Sequence, residues 1–115
     1  MTVYVDDMRA PYGRMVMCHM IADSDEELHA MAHAIGVARR WHQKPGTARS
    51  HYDIALSKRA IAVRLGAVEI TWRQTGAMTA RRRVVGQLGT PAEAIVWQRE
   101  FVAARRAIEK SEASQ

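Results

Sequence analysis

Met15-Val16-Met17-Cys18-His19-Met20-Ile21 is an almost unbroken apolar run, and Ser24-Asp25-Glu26-Glu27 follows it almost at once. The run predicts a strand covered on both faces, interrupted only by His19. The second string is a capping box: the Ser24 hydroxyl can accept from the Glu27 amide while the Glu27 carboxylate reaches back, and the acids suit the positive end of a helix. Leu28, Met31, Ala32 and Ile35 then recur at helical spacing, and Gly36 supplies a left-handed cap. Upstream, Thr2 to Val5 reads as a strand that stops at Asp6-Asp7, and Asp7 to Arg14 has turn chemistry around Pro11 and Gly13. Downstream, Val37 to Trp41 reads as a third short strand, giving a β-β-α-β order.

Further along, Gln43 to Ser50 contains Pro45-Gly46 and reads as an exposed loop. Asp53 or Ser57 is expected to cap a helix running through Leu65, with Leu56, Ala60 and Val63 facing inward and Gly66 ending it. Ala67 to Thr71 reads as the return into a fourth strand. Residues 73–89 read as a basic connecting segment with one short helix at Ala77 to Leu88. Thr90-Pro91-Ala92-Glu93 is a second capping box with proline at the first helical position, opening a long helix to Lys110. Along it Ala94, Trp97, Phe101, Ala104 and Ile108 form a seam expected to pack on the core, or to join two copies as a homodimer. The expectation is one α/β domain: a core over 1–72 with a small central sheet of about four strands flanked by helices, the 73–89 connection, and a long C-terminal helix over 90–115.

With 115 residues, 48% of them apolar, the chain can bury a core without covalent staples. The single cysteine, Cys18, has no internal disulfide partner and reads as a small buried apolar group. No apolar run approaches the roughly 18 residues that span a bilayer, and Met1 to Asp7 already carries two acids, so a cytoplasmic protein with no membrane contact is expected. The formal charge of +5 is uneven: residues 1–53 hold six Lys or Arg against seven acids, whereas 54–115 hold eleven against five. Nucleic acid, nucleotides and phosphate fit that basic half, as does solubility alone.

All five aspartates (Asp6, Asp7, Asp23, Asp25, Asp53) and all five histidines (His19, His29, His33, His42, His51) fall within the first 53 residues. These side chains supply most metal ligands and general acids or bases. Asp6, Asp7 and Asp23 follow predicted strands, so in a mainly parallel sheet they would share one edge; antiparallel first strands would separate them. Two carboxylates about 4 Å apart repel by roughly 4 kcal/mol at an effective dielectric near 20, so a cluster needs a cation, a shared proton or separation. Magnesium, manganese or zinc would suit, held by Asp6, Asp7, Asp23 and Asp53; no organic cofactor is expected. Arg9, Arg14, Arg39 and Arg40 could neutralise the acids instead.

His51-Tyr52-Asp53 places His51 and Asp53 on one side of an extended segment, a geometry for metal ligation or for an acid orienting a base. His19 reads either as a hydrogen-bonded core imidazole or as a group orienting the reacting atoms. His29 and His33 are four apart on one helix but lack the glutamate of a zinc-protease pattern. Arg81, Arg82 and Arg83, with Arg39 and Arg40 beside the Trp41 indole, are candidates for gripping phosphate or stacking a base. Gly86-Gln87-Leu88-Gly89 has the spacing of an RNA-binding glycine loop without the rest of that fold. No phosphate loop, dinucleotide fingerprint, paired-cysteine zinc site or serine nucleophile elbow is present.

Tyr4-Val5-Asp6-Asp7, Cys18 to Asp23, Glu27-Leu28-His29 and His51-Tyr52-Asp53 together resemble the domain-of-unknown-function 4031 family, small proteins of bacteria and their phages, over about residues 2–72. The resemblance implies a family label and no activity. From the residues themselves, the expectation is a metal-assisted phosphoester hydrolase or nuclease, with His51 as ligand or base. A non-enzymatic module binding nucleic acid, a nucleotide or a partner protein is the alternative, and a metal-free histidine-based activity a third.

Overall fold

A computed structural model describes residues 1–114. The sheet has six strands: β1 (Val3–Val5), β2 (Ala10–Tyr12), β3 (Met15–Ala22), β4 (His42–Gln43), β5 (His51–Ala55) and β6 (Val68–Glu69). The helices are α1 (Asp25–Ala34), α2 (Leu56–Arg64), α3 (Trp72–Val85) and α4 (Pro91–Ala113). Strand order is β4-β5-β3-β1-β6, with β2 paired to the outer part of β3. Among the described residues only β1 and β6 pair in parallel; the β1–β3, β2–β3, β3–β5 and β4–β5 ladders are antiparallel.

The alternation of β1 shows how the layers are built. Val3 and Val5 face a core made with Met20, Tyr52, Ile54, Leu28 and Ala32, so α1 and α2 cover that side. Tyr4 faces the other way, with Ile21, Ile70, Ala77, Met78, Leu88 and Ala94, so α3 and α4 cover the second side. Two-sided burial explains why β3 is apolar without interruption at Met20-Ile21-Ala22, as expected. Its first residues, Met15 and Val16, are exposed because they belong to the β2–β3 hairpin arm.

Several expectations are corrected. The expected turn at Gly13, φ 59, joins a hairpin, but the residues before it, Ala10–Tyr12, form the unexpected strand β2. Val37 to Trp41 is not a strand: Arg39–Trp41 is a single 3₁₀ turn, and pairing begins only at His42. Asp53 caps no helix, because His51–Ala55 is a strand that runs directly into α2, whose N-cap Ala55 makes no side-chain bond. Within α2 it is Ala62 that is buried, while Ala60 is exposed.

The largest correction concerns the basic segment. Residues Trp72–Val85 form a 14-residue helix opened by a complete Thr71/Gln74 capping box and closed by Gly86 in the left-handed region. In α4 the seam is buried only at its start: Ala94 is fully covered, Trp97 and Phe101 stack on each other at 4.9 Å, and the described residues beyond Phe101 are exposed. No helix of the described residues is long and apolar enough to cross a membrane.

Candidate functional site

Three adjacent strands set the site. The β1–β3 ladder continues one step past Val5, where the Asp6 amide donates to the His19 carbonyl at 3.0 Å. The next ladder pairs His19 with Asp53. Asp6, His19 and Asp53 therefore stand in a row across the sheet, and His51, two residues before Asp53, projects to the same side.

Asp6 is fully buried and fully bonded. Its Oδ1 accepts from the amides of His19 (2.9 Å) and Met8 (3.2 Å), and its Oδ2 accepts from the Thr75 hydroxyl at 2.9 Å and faces His19 Nδ1 at 2.8 Å. Burial alone would raise the Asp6 pKa, but the bonds from the ring and amide of His19 and from Thr75 outweigh it and hold the carboxyl below its ordinary value. The same contact raises the His19 pKa against the opposing effect of burial. Asp53 is lowered chiefly by its contact with His51, again against burial.

The outer partners dictate the tautomers. An ionised carboxylate only accepts, so His19 Nδ1 must carry the proton shared with Asp6. A carbonyl also only accepts, so His51 Nδ1, 2.6 Å from the Arg49 oxygen, must be N–H as well. In the neutral rings both Nε2 lone pairs consequently turn toward Asp53 Oδ1, from 3.8 Å for His19 and 3.4 Å for His51. Lone pairs converging on a carboxylate oxygen repel unless a ring proton or a bound cation lies among them. A tetrahedral zinc site with bonds of 2.0–2.2 Å has ligand-to-ligand edges of about 3.3–3.6 Å, close to these separations. One ligand atom from each of His19, His51 and Asp53 lies within 4.8 Å of the others, so a single ion could span them with small adjustments.

A cleft of about 710 Å³ opens beside the cluster, lined by His19 and Asp53 together with Met17, Arg40, Trp41 and Lys58. Arg40 lies over the Trp41 ring at 5.3 Å, and that indole is exposed. Two cations and an aromatic face next to a candidate metal centre suit an anionic ligand with a planar ring.

The other expected site residues are distributed differently. Antiparallel pairing of β1 and β3 carries Asp23 to the opposite edge, where it accepts from the Thr2 amide at 2.9 Å. Asp7 points at the start of α3 and accepts from the Trp72 amide at 2.7 Å. Asp6 stands behind His19 rather than among the innermost groups. Arg82 directs its guanidinium to the carbonyls of Ala22, Ala48 and Ser50, and Arg81 bonds the Gln87 carbonyl, while Arg83 is exposed. Arg39 is exposed on the 3₁₀ turn beside Arg40. Cys18 is buried, and burial pushes its thiol up to about 11, an inert group.

Sequence reasoning missed Thr75, whose hydroxyl completes Asp6. The Thr71-x-x-Gln74 spacing was the signal that would have placed a helix there.

The chain belongs to the family described as protein of unknown function, DUF4031, whose model matches residues 3–82. That match runs past β6 into α3 and takes in Thr75 as well as the four clustered residues. Neither a curated protein nor a solved structure matches the chain.

Proposed function

We propose that the chain is a metal-assisted phosphoester hydrolase acting on a nucleotide or a short nucleic acid, with one divalent ion held by His19, His51 and Asp53. The reading is carried by the two Nε2 lone pairs, fixed from behind by Asp6 and the Arg49 carbonyl, that meet at Asp53 Oδ1. Two imidazoles and one carboxylate suit zinc or a similar borderline ion and leave a coordination position for water or a phosphoryl oxygen. Such an ion lowers the pKa of bound water from 15.7 toward about 7 and polarises the phosphoryl group. Arg40 and Lys58 lie where phosphate charge would be met, and Trp41 where a base would stack.

The test is turnover of bis(p-nitrophenyl) phosphate and of a nucleotide panel with zinc, manganese or magnesium. Product formation should require metal and vanish in a folded His51→Ala variant; unchanged turnover in that variant refutes the assignment. A non-enzymatic nucleotide-binding module is the second reading, favoured by the Arg40–Trp41 stack at the cleft wall. It is selected if no metal supports turnover while binding survives Asp53→Asn and weakens steeply with salt.

A further inference from the structure

Tyr52, between His51 and Asp53, points to the opposite face of β5, and a second group of ligating side chains gathers around it. Asp25 and His29 are one turn apart at the start of α1 and share a helix face. The β4–β5 ladder pairs His42 with Tyr52, which brings the His42 ring to that face. One ligand atom from each of Asp25, His29 and His42 lies within 4.8 Å of the others. The two imidazoles meet edge to face with centroids 4.6 Å apart.

We infer that Asp25, His29 and His42 form a second divalent-metal site, suited to zinc, that ties the start of α1 to β4. Two buried polar groups, Ser50 and Tyr52, orient these ligands. The Ser50 hydroxyl donates to Asp25 Oδ1 at 2.7 Å, so its one proton is committed, and its oxygen accepts from His42 Nε2–H at 2.7 Å. That fixes the His42 tautomer and leaves Nδ1 as the ligand atom. His29 Nδ1 is 2.7 Å from the Tyr52 hydroxyl, and with Nδ1–H donating to that oxygen the Nε2 lone pair is left for the ion. Ser50 is 3% exposed and Tyr52 is fully buried, so these orienting groups are parts of the core. Outer partners of this kind fix ring orientation in metal sites. Two imidazoles and one carboxylate leave the fourth position of a tetrahedral ion to water.

The strand separates this site from the cluster of His19, His51 and Asp53, so the two ions would not share ligands. An ion here would join the two ends of the segment between α1 and β4, which carries Arg40 and Trp41 into the cleft wall. This inference does not rest on the hydrolase reading.

The experiment is a zinc titration of the full chain, followed by ring nitrogen and proton resonances of all five histidines. The His29 and His42 signals should shift together and saturate at one ion for that site, while His33 stays put. Movement of His19 and His51 reports on the other site separately. Ser50→Ala should weaken the His29/His42 event by 10–100-fold while leaving the chain folded. His29 and His42 rings that stay unmoved at saturating zinc would overturn the inference. So would an unchanged zinc affinity for this event in a His29→Gln/His42→Gln variant that keeps its circular dichroism spectrum.

Discussion

Asp6 Oδ2 lies 2.8 Å from His19 Nδ1, and this one contact decides what the far end of the imidazole can do. By accepting the hydrogen bond from Nδ1–H, the carboxylate leaves the Nε2 lone pair of the neutral ring facing Asp53. The buried acid is thus a positioning residue, and the partly exposed histidine is the group that can meet a ligand.

Replacing the acid while keeping its shape separates these roles. Asp6→Asn is expected to weaken zinc binding at His19, His51 and Asp53 by about 10–100-fold, because the outer partner no longer enforces the tautomer. It should also cost roughly 1–3 kcal/mol of stability, since an amide nitrogen would confront donors from His19, Met8 and Thr75. Competition with a chromogenic chelator and urea unfolding measure the two effects.

The pH dependence of stability without added metal has a defined sign. His19 is raised above its ordinary 6.5, so its contribution is complete below that pH and is lost as pH rises through the folded value. Asp6 is lowered below its ordinary 3.8, so its contribution is present above that pH and is lost as pH falls through the folded value. The Asp6–His19 pair therefore stabilises most between about pH 3.8 and 6.5, ordinary values for the two groups. Urea midpoints against pH should show this window, and His19→Gln should flatten its upper limb. Zinc affinity should run the other way, falling as pH drops and His19 takes up its second proton.

Much of this arrangement was legible in the sequence. The apolar run of β3, the Ser24 and Thr90 caps and the His51-x-Asp53 alternation depend on local spacing, and each stands where that spacing puts it. Strand direction does not follow from spacing. Antiparallel pairing of β1 with β3 placed Asp6 against His19 and sent Asp23 to the far edge, which also relieves the repulsion that four gathered carboxylates would have suffered. The role of Arg82 was equally hidden, because a basic run looks the same whether it meets phosphate or backbone carbonyls. In β5, Asp53 resembled a helix cap because strand and helix join there without a loop.

Arg82 and Arg83 provide a contrast between adjacent residues. Arg82→Gln should cost about 1.5–3 kcal/mol, since charge-assisted bonds to the Ala22 and Ala48 carbonyls are lost from a partly buried site. Arg83→Gln should stay within about 0.5 kcal/mol, as for an exposed residue. Thermal melts of the two variants decide whether the run acts through the fold.

Removing residues 103–115 tests the outer part of α4. The described residues there are exposed, so unfolding free energy should change by less than about 0.5 kcal/mol. A larger loss that depends on protein concentration would show that a second copy covers this face.

The most direct test of the metal centre is a crystal grown with zinc and measured at the zinc absorption edge. The expected map has an anomalous peak about 2.0–2.2 Å from Nε2 of His19, Nε2 of His51 and an Asp53 oxygen, with Asp6 still bonded to His19 Nδ1. A fully loaded crystal with no peak among these three residues, or with zinc on Nδ1 of either ring, would contradict the proposed centre.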